Sequence, residues 1–584
     1  MLNFRESYRT VPTYLLDPAG PIPTAQDPDG VYPYESFAGI SQRPVLKSYR
    51  FVCIENDFLQ VTICPDLGGQ VSSMRFKPTD VEVLFVPGVV RPMRILPRYA
   101  FLAGGIEVSF PISHTPVQIA AVQYRIEQQA GRLYVWCGER ELRFGMHWTV
   151  EYSLGERDAF LTQRTVFYNP TQTAHPWMSW SNASVPALPD TEIHFPNGPV
   201  LCHGDVLRTI QWEKEGPRRQ SDVGRMTGYF WREPDCCAFG AYTPSRHAGL
   251  YHIADPKLTP GIKLWTYGVG EHEVWGRQAS EDGRQYLEIQ AGPLMDQSLK
   301  DYLQPGEQRH HVEFWLPTAK PFDIRALALP TPQLLDVLLI PRFGWARVAD
   351  AALWEQLTQA FSAKDNARLP QPPAVDDNRW APGGMDDLGT ALRWAISMTD
   401  GPVCEIWRFQ LAAWHAGRDE IDEALQILDQ CRDDRGLALA GRLYRRSKGD
   451  YRKAVECFRK IRCEAVAVHP QVVVERDLAL ATLGKEFLDE RAAWLCHVAA
   501  SADERIIERR ASLLAAQGKW EEARVLLTTT DFELTHQRYA RTRLWKRIKA
   551  ELRIQSTEPA NFLGEDDLAD FGAYREHAED ETFL

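Results

Sequence analysis

Up to about residue 320 the apolar positions come in short runs rich in β-branched and aromatic residues. Phe51-Val52-Cys53-Ile54, Leu59-Gln60-Val61-Thr62-Ile63, Leu133-Tyr134-Val135-Trp136 and Met146-His147-Trp148-Thr149-Val150 are examples. Gly, Pro, Asn and Asp punctuate the runs, which is the pattern of strands joined by turns. No strand–helix alternation intervenes, so the pattern predicts a large antiparallel sandwich and not a parallel sheet. One hairpin is explicit: Leu59 to Ile63 alternates faces, Pro65-Asp66 turns the chain, and Gly68-Gly69 permits backbone conformations closed to other residues. Pro317, Pro321, Pro330, Pro332, Pro341, Pro370, Pro372, Pro373 and Pro382 then mark a connector, with a short helix expected over Ala351 to Ala363.

Beyond the connector the periodicity becomes helical and a repeat appears. Gly417, Gly449, Gly484 and Gly518 are separated by 32, 35 and 34 positions. Two of them open near-identical frames, Gly449-Asp-Tyr-Arg-Lys-Ala454 and Gly518-Lys-Trp-Glu-Glu-Ala523. Each follows an amphipathic helix (Leu437 to Ser447; Arg509 to Gln517), and each alanine sits where the next helix must approach its partner closely. Gly417 and Gly484 fit less well, with Ala424 and Ala492 displaced. A period near 34, with Gly, an aromatic two positions on and Ala five on, resembles the tetratricopeptide repeat (TPR). Such arrays bury a core between neighbours and leave a concave face. Here that face has three possible uses: to bind a partner, to pack on the β half, or to form a homo-oligomer.

Composition narrows the partners. A net charge of −12 over 584 residues argues against a general nucleic-acid surface, which needs clustered basic charge. No signal-peptide region or membrane-spanning apolar run is apparent, and the eleven cysteines form no zinc-site spacing. Free thiols in a cytoplasmic protein without metal or cofactor are the expectation.

Two stretches carry a family resemblance. Asn56-Asp-Phe-Leu-Gln-Val-Thr-Ile-Cys-Pro-Asp-Leu-Gly-Gly69 resembles the opening of galactose mutarotase-like domains, which begin a β-supersandwich. Gly104-Gly-Ile-Glu-Val-Ser-Phe-Pro-Ile-Ser-His114 is similar to the GG-(I/V)-E-x-x-F-P-x-x-H pattern of an uncharacterised mutarotase-like family in which TPR repeats often follow. Trp180-Ser-Asn-Ala-Ser-Val-Pro186 and Gly261-Ile-Lys-Leu-Trp-Thr-Tyr-Gly268, continuing to Tyr286-Leu-Glu-Ile-Gln-Ala-Gly292, match the same pattern. The resemblance implies an N-terminal all-β mutarotase-like supersandwich and a C-terminal all-α TPR-like array. The divisions expected are an N-terminal extension (1–45), the β domain (46–318), the connector (319–385) and the repeats (386–584).

The resemblance also implies a carbohydrate substrate, and the residues suggest the chemistry. Reactions at an anomeric carbon need an acid and a base about one bond. Glu107 follows two glycines and precedes Phe110-Pro111, an apolar setting that raises a carboxyl pKa. Glu288 alternates with Leu287 and Ile289, which points it into a cleft, and its late position resembles that of the mutarotase catalytic glutamate. His114 and His252 are the histidine candidates, with Glu271 of the loop Tyr267 to Trp275 in reserve. Trp180, Trp231, Trp265 and Trp275 offer indole faces for sugar stacking, and Asn182, Arg232, Lys263 and Arg277 offer hydroxyl partners. The leading expectation is a glycoside hydrolase acting on oligosaccharides, with Glu107 as proton donor and Glu288 as base or nucleophile. An aldose 1-epimerase using Glu288 with a histidine, or a non-catalytic sugar-binding scaffold, stands beside it.

Overall fold

The computed structural model describes residues 2–555 apart from 19, 24–32, 35–36, 96–97, 113, 204–207, 225, 268–278, 298, 348–350, 375–378, 531 and 533–538. The N-terminal half is all β and the C-terminal half helical, as the two periodicities require. Among the described residues, one antiparallel sheet has twelve strands and another eight. The centre of the larger runs Gln70–Phe76, Ile106–Val108, Ser181–Pro186, Tyr286–Gly292, Gly261–Thr266 and Thr227–Trp231. The centre of the smaller is Leu161–Tyr168, Gln308–Thr318 and Ala248–Ala254. The predicted hairpin pairs Leu59–Cys64 with Gln70–Phe76. The segment before residue 46 does not stand apart, because Asn3–Thr13 pairs along its whole length with Val45–Glu55.

The sandwich closes on apolar side chains from both sheets, with Val61, Ile106, Ala183 and Leu287 meeting Leu133, Val150, Leu161 and Trp315. Within that core lies a carboxylate. Glu313 of the smaller sheet is fully buried and accepts from Ser181 Oγ at 2.6 Å, Gln163 Nε2 at 2.8 Å and His252 Nε2 at 3.1 Å. His311 Nε2 adds a contact at 3.3 Å. Burial opposes its ionisation, but the histidine hydrogen bonds and charges outweigh that and hold the carboxyl at about 2. His252, expected as a catalytic histidine, is therefore an internal tie between Glu313 and the ring of Trp315, 4.8 Å away.

The helix expected from Ala351 to Ala363 forms over that range, and the two amphipathic helices are Asp434–Arg446 and Glu504–Ala516. Gly449 and Gly518 follow them with φ of 62° and 78°, left-handed conformations that stop a helix and that glycine adopts without a Cβ penalty. Ala454 and Ala523 are fully buried against the preceding helices, as the spacing predicts. The first helices do not form a separate core. Trp354, Leu388, Trp407 and Trp414 belong to the same apolar cluster as Leu142, Met146 and Trp148 of the β half.

His252→Ala removes one donor from a buried carboxylate and should destabilise the protein by about 3 kcal/mol. Urea unfolding of the two proteins side by side measures this, and an unchanged midpoint would show that the imidazole is dispensable.

Candidate active site

Direct partners across an antiparallel sheet project to the same face. Glu107 pairs with Asn182, Asn182 with Gln290, Gln290 with Lys263, and Trp265 with Glu288. These residues consequently share the face of the large sheet turned away from the sandwich core. Ile106, Ala183, Leu264, Leu287 and Ile289 fill the opposite face. Glu107 and Glu288 are both only 3% exposed, so the face is covered and the carboxylates are largely withdrawn from water.

The glycine pair before Glu107 has a steric cause. A Cβ on Gly105 would fall 2.2 Å from the Val71 carbonyl oxygen, and the residue has φ of 71°. Glycine there lets strand Ile106–Val108 enter the sheet beside Gln70–Phe76. After the strand the chain passes Phe110-Pro111 and reverses at His114, a non-glycine residue at φ 57°. That conformation is uncommon and costs energy, and such strain collects at functional positions. It returns the imidazole to the strand, where Nδ1 lies 2.9 Å from Glu107 Oε2. The Thr115 N–H donates to the other oxygen, Oε1, at 2.9 Å. Both Glu107 oxygens are thus engaged, and the carboxylate holds the ring with Nε2 directed elsewhere. The ring of Phe101 packs edge-on against it at 4.8 Å.

Glu288 occupies the other side of the same face. Gln290 Nε2 donates to its Oε2 at 2.9 Å, and the Tyr267 hydroxyl lies 3.5 Å from Oε1. Burial pushes its carboxyl above the ordinary range and Glu107 adds to that, while His114, Lys263 and the Asn182 amide pull it down. Lys263 projects between the rings of Phe230 and Trp265, 4.7 and 5.1 Å from their centroids. Burial lowers this ammonium to about 7 against the opposing pull of Glu288 and Asp296. Asp296 in turn pairs with Arg232. Asn182 Oδ1 is buried with no protein partner among the described residues, an acceptor left on the face between the two glutamates.

Of the expected site residues, Glu107, His114, Asn182, Lys263, Trp265 and Glu288 come together. Trp180 borders them, its ring edge-on to Phe230 at 6.1 Å. Two expectations are corrected. His252 lies inside the sandwich on the other sheet, and Trp231 faces the core, stacked on Phe195 at 4.7 Å. Glu271, Trp275 and Arg277 lie outside the described residues. Arg232 is committed to Asp296. Gln290, Gln297 and Tyr267 were not singled out from the sequence, although Gln290 is two positions from Glu288 and must share its face. Gln297, which accepts from Lys263 and donates to Gln290 Oε1 at 2.8 Å, sits on a loop with no sequence signal.

The chain is a two-part protein, an all-β sandwich with a buried acid–base face and an array of helical hairpins whose first helices share its core. It belongs to the family defined by a domain of unknown function, DUF5107, whose model matches residues 26–318. A second model, described as a C-terminal domain, matches residues 354–548. The crystal structure of a TPR-domain containing protein from Parabacteroides distasonis is similar over 97% of this chain and 98% of its own, at 47% identity and a TM-score of 0.92. A galactose mutarotase-like protein from Clostridium acetobutylicum is similar over 46% of this chain and 95% of its own, at 12% identity and a TM-score of 0.36. One from Lactobacillus casei is similar over 46% and 99%, at 9% identity and a TM-score of 0.33. Among the described residues no helix is long and apolar enough to cross a membrane.

Lys263→Met takes a positive charge from beside Glu288, so the Glu288 carboxyl should titrate at higher pH than in the parent. Infrared difference titration of the protonated carboxyl band, with Glu288→Gln as the blank, checks this. Superimposable titrations would show that the two groups do not interact.

Proposed function

We propose that this protein is a sugar-active enzyme of the aldose 1-epimerase type, interconverting the anomers of a reducing sugar by acid–base catalysis. The observation that carries the reading is one buried face holding Glu288 opposite a Glu107–His114 pair, in which the carboxylate fixes the imidazole. The motif resemblance to mutarotase-like domains supports the substrate class. In this reading Glu288 takes the proton of the anomeric hydroxyl and His114 Nε2 gives a proton to the ring oxygen. The bond between C1 and the ring oxygen then breaks, leaving the open-chain aldehyde. Rotation about C1–C2 and the reverse transfers close the other anomer. Glu107 orients the ring and faces the charge it carries, as a carboxylate does behind a catalytic histidine. Asn182 and Lys263 bind hydroxyls, and Trp265 and Trp180 flank them on the same face.

Glycoside hydrolysis is the second reading. Two buried carboxylates on one face favour it, and burial of Glu288 suits a proton donor. Against it, Glu107 already spends both oxygens on His114 and Thr115, which does not suit the acid role expected of it. Eleven free thiols fit a reducing, cytoplasmic setting for either reaction.

Incubation with a panel of aldoses, followed by proton NMR exchange between anomers, tests the first reading. Glu288→Gln and His114→Ala should each slow exchange by about 100-fold or more, the scale of general acid–base catalysis. Chromatography of α- and β-linked oligosaccharides tests the second. Glu288-dependent release of smaller sugars without anomer exchange would replace the epimerase reading with hydrolysis.

The pH dependence has a definite sign. Glu288 acts deprotonated and its carboxyl is raised, so kcat/KM should fall on acidification at a pH above the ordinary carboxyl value of 4.5. A rate–pH profile flat down to the ordinary range would remove Glu288 from the base role.

A further inference from the structure

A cavity of about 620 Å³ lies where the β half meets the first helices, within the size range of small-ligand sites. Its β wall includes Pro111 and Ile112, which join strand Ile106–Val108 to the His114 reversal, so one loop serves both the acid–base face and this cavity. Its helical wall is the turn after helix Gly401–Gly417 together with Gly383 and Asp386.

The two walls differ in hydrogen-bonding character. Arg143 and Lys300 place donors on the β side. Asp386, whose side chain is 58% exposed, and Asp419 place carboxylate acceptors on the helical side, while the Glu420 carboxylate is held by His415 at 2.6 Å and Arg418 at 3.1 Å. Tyr302, which is 53% exposed, and Phe144, stacked on His175 at 5.0 Å, supply aromatic surface. His175 adds no charge at neutral pH, because burial lowers it to about 4. An anionic ligand would meet the three carboxylates and a cationic one Arg143, Lys300 and Arg418. A neutral polyol suits both walls, since every hydroxyl donates and accepts and the apolar face of a pyranose stacks on aromatic rings. The cavity is also held open by contacts that do not depend on its contents. The Gly384 N–H donates to the Leu142 carbonyl at 3.1 Å, and Arg418 Nη1 ties Asp386 at 2.7 Å and the Gly383 carbonyl at 2.9 Å.

We propose that this cavity binds the neutral saccharide chain attached to the reducing sugar on which Glu288 acts. The helical half then supplies one wall of an oligosaccharide site. The proposal rests on the sugar-handling reading above for its ligand class, and its test is separable from that reading.

The full chain is titrated calorimetrically with glucose, xylose, cellohexaose, maltohexaose, laminarihexaose, xylohexaose and hexagalacturonate. At least one neutral hexasaccharide should bind about tenfold or more tighter than its monosaccharide. In Tyr302→Ala, and separately in Asp419→Asn, that advantage should fall to about threefold or less with the thermal midpoint unchanged. An absent advantage, one that persists in both variants, or tighter binding of hexagalacturonate would overturn the proposal. A length advantage lost in both variants in a protein without anomer exchange would sink the epimerase reading and keep this one. Exchange without a length advantage would do the opposite.

Discussion

The sandwich depends on a carboxylate placed where a carboxylate is most expensive. Glu313 lies between the sheets at 0% exposure, and an unpaired charge there would be prohibitive. It is tolerated because each neighbouring strand sends it a donor: Gln163 from one side, His252 from the other, His311 from its own strand, and Ser181 from the opposite sheet. The last of these matters most for the site. Ser181 precedes Asn182 on the same strand, so the tie that joins the sheets also fixes the register of the strand between Glu107 and Glu288. Position on the face that carries Glu107 and Glu288 is thereby coupled to satisfaction of the buried charge.

That coupling explains which parts of the site were legible in the sequence. Strand alternation places residues i and i+2 on one face, so Glu288 opposite Leu287 and Ile289 was readable. Alternation does not say which face lies inside when both are covered. Ala248–Ala254 is buried throughout, so nothing in its composition separated His252 from a cleft residue. Thr227–Trp231 shows the same ambiguity: Phe230 borders the site, while its neighbour Trp231 faces the core. Glu107 was legible from its constrained glycine entry, but its partners on the folded chain were not. The reversal at His114 brings an imidazole onto the carboxylate, and a left-handed histidine seven positions away leaves no signal in composition.

In the helical half the glycine spacing was countable because helix stops need a particular backbone conformation. The interfaces between helices were not, since several rest on buried ion pairs. Asp477, fully buried, is held by Arg491 and Arg509, and Glu475 by Arg442 and Arg445. Arginines in amphipathic helices look like solvated positions until a carboxylate on the next helix claims them. The N-terminal segment was equally hidden. Ile22 exchanges two hydrogen bonds with the Gln471 side chain, at 2.8 and 2.7 Å, across 449 positions.

These contacts bear on what the repeats do. In a free-standing solenoid each repeat leans only on its neighbours, and stability is close to a sum over them. Here Trp354, Trp407 and Trp414 are buried in the same cluster as the β sandwich. The helices up to Gly401–Gly417 therefore fold as part of one cooperative unit with the strands. The later hairpin of Glu504–Ala516 and Trp520–Thr529 packs with helix Tyr539–Leu552 in one smaller cluster and with Val473 and Leu495 of the preceding helices in another. Its opening need not disturb the sandwich, as local stability follows local burial. The array is thus graded along its length, sharing the sandwich core in its first helices and packing in a cluster separate from it at its far end.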